Sequence, residues 1–291
     1  MEIRENVPLA NYTSYRIGGP ARYFIEPASD AEVQAALAFA RERALPYYVL
    51  GKGTNILISD KGLPGVVIHI GNGLARWEIA GERATAEAGL LLNTLIQRLA
   101  EHRLGGFEIL AGIPGSVAGA VVMNAGAHRV FIGEFVEAVD IITADGKFAT
   151  LAGSELGFAY RSSIFQEEKH IILRVHLRPV PREPEEIKAT VALALEKRRL
   201  HPQLPSCGST FRNPPGIPAG KLIEELGLKG TRIGDAQIAP EHGNFIVNLG
   251  RATAQDVYSL ICLVQARARE ERGINLQTEV KLWGEFENPP A

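Results

Sequence analysis

The 291 residues are about twice the length of an average domain of ~150, enough to bury more than one sizeable core. With 46% apolar residues, 22% charged residues and a net charge of −2, the composition excludes disorder as the main state and supplies no basic excess for a dedicated nucleic-acid surface. Glycine is in excess, 30 of 291 against a usual ~7%, with no G-X-Y period and a concentration in a few loops, the mark of backbone that must come close to something.

In chain order, ARYFIEP reads as a strand, and Ser29 to Ala44 as a helix with Ser29 as N-cap and Val33, Ala36, Leu37 and Ala40 on one face. YYVLG and GVVIHI are short buried strands on either side of a loop. From about Ile70 the pattern changes. RWEIA and RATAEAG flank a turn at Gly81, a helix follows from Leu91 to Arg103, and VEAVDIITADGKFATL is a hairpin on Asp145-Gly146. ILRVHLRPV closes that block, and the proline-rich PVPREP (179–184) marks a boundary. Beyond it the sequence predicts a helix from Glu185 to Leu200, a Pro/Gly-rich loop, a helix from Thr253 to Arg272 and a final strand, TEVKLWGEF. Thr253 and Asp256 open that last helix as a capping box, and Gly273 closes it.

Cys207 and Cys262 lie far apart with no C-x-x-C, which fits a reducing compartment, and the amino terminus lacks the basic-then-apolar signature of a signal peptide. Ile109 to Ala127 carries no charge and has a small-xxx-small pair at Gly115 and Gly119. Its four glycines, Pro114, Ser116 and Asn124 make it too weakly apolar for a membrane span.

Two loops are rich in backbone donors. LGKGTNIL follows a strand and presents N–H groups around Gly51 and Gly53, with Thr54 and Asn55 as further donors, either as a tight turn or as a nest for a pyrophosphate. It is not a dinucleotide fingerprint, since Ile56 stands where the third glycine belongs, and GIPAGKL is one residue short of a P-loop. AGIPGSVAGAVVMNAGA sets Gly112, Gly115 and Gly119 around Ser116, which can N-cap a helix starting near Val117. Close backbone packing is the competing reading for each of these glycines. Two such loops suit a dinucleotide better than a mononucleotide.

YRSSIF places Arg161 among apolar and hydroxyl neighbours, as a structural ion pair or a carboxylate clamp. PSCGSTFRNP carries Ser209 in a turn-rich segment with no nucleophile elbow around it. The histidines have no metal-binding spacing, and no metal is expected. Glu279 lies in the closing strand beside Val280, Leu282 and Phe286; in their environment its acid form is favoured, in an alternate position it is exposed.

In this order and at these distances, LGKGTNIL, AGIPGSVAGAVVMNAGA, YRSSIF, CGSTFRNP, GKLIEELGLKG and TEVKLWGE resemble the bacterial UDP-N-acetylenolpyruvoylglucosamine reductase family over nearly the whole chain. The first part is also similar to the wider class of flavin-binding domains of vanillyl-alcohol-oxidase-like enzymes. The resemblance implies an α+β fold: a two-lobed FAD-binding domain (1–69 and 70–180) and a smaller α+β substrate domain (181–291) whose last strand returns Glu279 to the active site. It implies non-covalent FAD, NADPH as reductant, and UDP-GlcNAc-enolpyruvate as substrate in peptidoglycan precursor synthesis. Ser209 is then the general acid, and Arg161 and Glu279 act at the substrate carboxylate. FAD contacts fall on Gly51, Gly53, Thr54, Asn55, Gly112, Gly115, Ser116, Gly119 and Gly126, and substrate contacts on Asn213, Lys229 and Lys221. The chain has no counterpart of the family's longer tyrosine-bearing loop and resembles the compact subtype. A cytoplasmic monomer with no nucleic-acid or membrane partner is expected. Two alternatives stay open, a flavin-dependent oxidase on the same fold and a non-catalytic nucleotide-binding module; histidine flavin tethers are common in such oxidases, and LGKGTN has none.

Overall fold

The computed structural model describes residues 1–288 as a mixed α/β protein that divides into two compact units. The first consists of Met1–Ile3, Ile25–Lys52 and Val66–Arg198, the second of Arg4–Phe24, Gly53–Gly65 and Arg199–Ala291.

In the first unit, helix α1 (Asp30–Glu42) begins where the Ser29 side chain accepts from Glu32 N, and it buries Val33, Ala36, Leu37 and Ala40 along one stripe, as expected from their spacing. Strand Tyr47–Leu50 then runs parallel to Leu63–His69, in register from Tyr47↔Val66 to Leu50↔His69. The larger sheet is antiparallel, in the order Phe148–Ala152, Val136–Ile142, Ile171–Leu177, Arg83–Glu87, Trp77–Ala80. Both predicted hairpins are present in it, and Gly81 and Gly146 turn them at φ +62 and +86. Helix α2 (Leu92–Glu101) buries Leu92, Leu95, Ile96 and Leu99.

The uncharged stretch after Ile109 does not form one long helix. It is broken into a 3-10 turn (Glu108–Leu110), a loop and the six-residue helix α3 (Val117–Val122), and no helix among the described residues is long and apolar enough to cross a membrane. Helix α4 (Pro184–Arg198) starts on a proline, which loses no helical hydrogen bond in the first turn, and it packs against the Glu108–Leu110 turn.

The second unit is built around strands Arg232–Ile233, Ala236–Ile238 and Ile246–Asn248, which pair antiparallel. Two helices, α5 (Ala219–Glu225) and α6 (Ala254–Arg272), complete its framework, and α6 packs on the sheet. The capping box of Thr253 with Asp256 and the left-handed Gly273 bound α6 as the sequence predicts. Asp60 adds a cap that the sequence did not announce: its two carboxylate oxygens accept from Ala254 N at 2.8 Å and Gln255 N at 3.0 Å. One core joins the three chain segments, with Tyr15, Leu57, Phe211, Leu222, Leu260 and Val280 buried together. At ~1.5–3 kcal/mol for each large apolar side chain fully buried, this shared core is what holds three stretches of sequence in one body.

Two expectations are corrected here. The closing strand is only Lys281–Trp283, parallel to Ile56–Ile58, because residues 277–280 bond elsewhere. The Pro/Gly-rich loop contains α5, whose seven residues directly after Pro218 are too few to show a helical period.

Candidate active site

The donor loops come first. In the first unit, Gly51 lies against Ser116: a methyl on Gly51 would sit 3.0 Å from Ser116 Oγ. Ser116 caps α3 by accepting from Gly119 N at 3.2 Å. The loop around it is stitched to neighbouring backbone, Val117 N to Leu90 O at 2.7 Å, Ala118 N to Ala88 O at 3.2 Å and Leu92 N to Gly115 O at 3.1 Å. Asn93 clamps the loop's start, accepting from Gly112 N at 2.7 Å and donating to Ile113 O at 3.3 Å.

The amides of Gly112 and Gly119 are therefore committed to protein acceptors. Gly115, at φ +145, directly precedes Ser116, whose hydroxyl lies beside Gly51. A methyl on Gly126 would lie 2.2 Å from the Phe131 ring, so packing accounts for that glycine.

In the second unit, Gly53 takes φ +60 and touches the Tyr12 carbonyl, where a methyl would be 2.1 Å from the oxygen. Asn55 sits beside the chain's last strand: its Nδ2 donates to Glu279 O at 3.1 Å and its carbonyl accepts from Lys281 N at 3.0 Å. Thr54 lies between them, half-buried.

The structure brings Ser209 and Glu279 together. Thr210 O accepts from Glu279 N at 2.8 Å and Val280 N at 3.3 Å, Arg212 N donates to Gln277 O at 2.9 Å, and Phe211 bridges Thr278. On its other side, Ser209 bridges Phe245, and Thr210 N donates to Asn244 O at 2.8 Å. Asn244 is almost fully buried, and its side chain holds Phe211 from both directions, Oδ1 accepting from Phe211 N at 2.9 Å and Nδ2 donating to Phe211 O at 2.8 Å. Ser209 and Glu279 are themselves half-buried.

Sequence reasoning missed Asn244, as it missed Asn93 and Asn124. All three brace loops that carry proposed site residues through partners remote in sequence, and no local sequence signal marked those partners. Cys207, two residues before Ser209, is buried against Ile56 O at 3.1 Å; burial pushes its thiol up to about 12, so it stays neutral.

The predicted substrate contacts lie near α5. Asn213 is exposed, with Oδ1 accepting from Ala219 N at 2.9 Å at the helix start. Lys229 pairs with Glu224 at 3.2 Å, whereas the more exposed Lys221 reaches Glu225 only at 3.9 Å. Arg161 belongs to the first unit, on a tight turn, half-buried at φ +54 with its guanidinium 5.4 Å from the Tyr160 ring. No cluster of three or more His, Cys, Asp or Glu placed to hold a metal occurs among the described residues.

His242 packs beside this region against Phe245, ring centroids 4.8 Å apart, and its Nδ1 accepts from Asn244 N at 3.2 Å. Burial lowers its pKa below the ordinary 6.5. The unfolded chain then binds the proton first, so stability present above pH 6.5 is lost as pH falls from 6.5 through the folded value. Urea midpoints at pH 7.5 and 5.5 are expected to differ less in a His242→Gln variant than in the parent; equal differences would contradict this assignment.

The match to known proteins agrees with this geometry. Residues 21–152 match the FAD binding domain family model, and residues 201–283 match the model described as UDP-N-acetylenolpyruvoylglucosamine reductase, C-terminal domain. The chain is thus an FAD-binding-domain protein with a second, reductase-type domain. The UDP-N-acetylenolpyruvoylglucosamine reductase of Syntrophomonas wolfei is 42% identical over 285 residues, 97% of this chain and 95% of that one. That of Synechococcus sp. (strain WH7803) is 44% identical over 295 residues, 99% of this chain and 94% of its own. The crystal structure of the Thermus caldophilus enzyme superposes with a TM-score of 0.86 at 40% identity, covering 97% of this chain and 100% of the other.

The chain belongs to the UDP-N-acetylenolpyruvoylglucosamine reductase family. A 6-hydroxy-D-nicotine oxidase from Arthrobacter nicotinovorans shares the fold alone, at a TM-score of 0.51 and 16% identity over 62% of this chain, so the oxidase alternative is not favoured.

Proposed function

We propose that this chain reduces UDP-N-acetylglucosamine enolpyruvate to UDP-N-acetylmuramate with NADPH, as a monomeric enzyme of peptidoglycan precursor synthesis in the bacterial cytoplasm. The observation that supports it most is the Thr210 junction, which joins Ser209 to Glu279 in a chain 42% identical to a named reductase over 97% of its length. FAD, held without a covalent bond, would supply the redox chemistry, a hydride taken from NADPH and destined for the methylene carbon of the enol ether.

By role the chain has three parts, FAD-binding lobes 1–69 and 70–180 and a UDP-sugar domain 181–291. Gly51, Gly53, Thr54, Asn55, Gly115 and Ser116 hold the cofactor, with Gly112, Gly119 and Gly126 shaping the loops around it. Asn213, Lys229 and Lys221 meet the sugar nucleotide, the lysines answering its diphosphate.

Hydride arrival pushes electron density toward the pyruvyl carboxylate. Arg161 stabilises that growing charge as a fixed cation, and Glu279 assists as a hydrogen-bond donor in its acid form. Ser209 delivers a proton to the α-carbon, so the C=C bond takes up one hydride and one proton and becomes saturated. A hydroxyl is a weak acid, but the carbanion-like centre it faces is a strong base.

The purified protein is expected to be yellow, to bleach anaerobically with NADPH, and to recover its colour on adding UDP-GlcNAc-enolpyruvate. Recovery with oxygen alone would favour an oxidase, and a colourless protein that takes up no FAD would favour a plain nucleotide-binding module.

A further inference from the structure

Arg161 occupies a backbone conformation that few non-glycine residues adopt. Ala159 and Ser162 exchange both backbone hydrogen bonds, each 3.1 Å, and this closes a four-residue loop with Arg161 in the left-handed region at φ +54. Several contacts hold the loop from outside. Asn124 Nδ2 donates to Ala159 O at 2.9 Å and accepts at Oδ1 from Gly133 N at 3.1 Å, while Ser163 Oγ donates to Val122 O at 2.7 Å. The remaining contact is Gln166, whose Nε2 donates to Arg161 O at 2.9 Å and to Val122 O at 3.0 Å.

Those two acceptors differ in kind. Val122 is the last residue of α3, where helical carbonyls lack intrahelical donors, and Arg161 O belongs to the strained turn. A primary amide carries two N–H donors on one nitrogen, and here one serves each carbonyl. Of the twenty side chains, asparagine offers the same donor pair one methylene shorter, glutamate has the shape but only acceptors when ionised, and methionine has the length without donors. Among neutral side chains, only glutamine combines this reach with two donors on one nitrogen. Because Ser116, the N-cap of α3, lies beside Gly51, the same short helix links the Arg161 turn to that loop.

We propose that Gln166 is a positioning residue for substrate reduction: it fixes the Arg161 turn to the end of α3 so that the guanidinium is preset for the substrate carboxylate. The role rests on the reading of Arg161 as the carboxylate cation. Gln166→Met keeps the length and removes both donors. In the FAD-loaded enzyme, flavin reduction by NADPH and FAD content should be unchanged, while the second-order rate of reoxidation by UDP-GlcNAc-enolpyruvate falls about tenfold to a hundredfold.

Since Gln166 acts only through Arg161, adding Gln166→Met to Arg161→Ala should cost nothing further. Gln166→Glu, with the same shape, is the second variant and is expected to show the same selective loss. A parental reoxidation rate in both variants, equal loss of both half-reactions, loss of FAD in both variants, or full additivity with Arg161→Ala would each overturn the positioning role. If Arg161→Ala itself reoxidises at the parental rate, the carboxylate reading falls and the positioning role with it; an impaired Arg161→Ala beside an unimpaired Gln166→Met removes the positioning role alone.

Discussion

Replacing Ser209 with alanine is expected to leave flavin reduction by NADPH at its parental rate and to slow reoxidation by the enolpyruvyl substrate by about 10²- to 10⁴-fold, the range that a positioned general acid supplies. That range corresponds to ~3–5 kcal/mol of barrier. The surroundings make the substitution clean. The backbone around Ser209 is fixed by the Phe245 bridge, by Thr210 N on Asn244 O at 2.8 Å and by Glu279 N on Thr210 O at 2.8 Å, none of which uses the Ser209 hydroxyl. Asn244 and Phe211 are buried, and the hydrogen bonds between them do not involve Ser209. Anaerobic stopped-flow absorbance of the flavin separates the two half-reactions. Equal slowing of both would remove the proton-donor role, because hydride delivery from NADPH does not require a proton at the substrate's α-carbon.

Gly53→Ala is expected to be the most destabilising of the glycine substitutions in the donor loops, by about 2–5 kcal/mol. A non-glycine residue in the left-handed region costs roughly 1–2 kcal/mol, and overpacking adds typically ~1–3 kcal/mol more. Here the added methyl would lie 2.1 Å from Tyr12 O and 2.9 Å from Thr13 Cα, both backbone atoms that no side-chain rotation can move. Gly81→Ala supplies the comparison. Gly81 has nearly the same φ, +62 against +60, but nothing within 4 Å of the new methyl, so it should lose only the conformational part, roughly 1–2 kcal/mol. Urea denaturation of the two variants beside the parent measures the difference. Equal losses would mean that the segment around Tyr12 yields freely, and close backbone approach could not then explain the glycine.

The sequence announced local features well and remote ones poorly. Ser29, Thr253, Asp256 and Gly273 sit next to the helix ends they cap, so α1 was legible down to its N-cap and buried face and α6 down to its two caps. The hairpins at Gly81 and Gly146 were legible for the same reason. The closing strand misled because its apolar alternation is real but its hydrogen bonds go to two partners: 277–280 to the Ser209 segment and Lys281–Trp283 to Ile56–Ile58. Of the proposed site, the residues assigned chemical roles came from the family resemblance of their motifs. Their bracing did not, because Asn244 holds a residue 33 positions away and Asn93 one 19 positions away. No periodicity encodes such distances.

The second unit draws on three separate stretches of chain, and this has a consequence for how the protein is made. Ser14 Oγ donates to Ser206 O across 192 positions, Asn248 Nδ2 donates to Tyr15 O across 233, and Ile56–Ile58 waits for Lys281–Trp283 as its parallel partner. During synthesis the segments Arg4–Phe24 and Gly53–Gly65 leave the ribosome long before the partners that cover them. Tyr15, Ile17 and Leu57 therefore spend most of translation without their final neighbours. The first unit, whose last segment ends at Arg198, has its full complement of residues while about a third of the chain is still unmade. Ribosome-bound chains stalled far enough beyond Arg198 for that residue to clear the exit tunnel should accordingly resist protease across the first unit and remain open to it at Arg4–Phe24 and Gly53–Gly65.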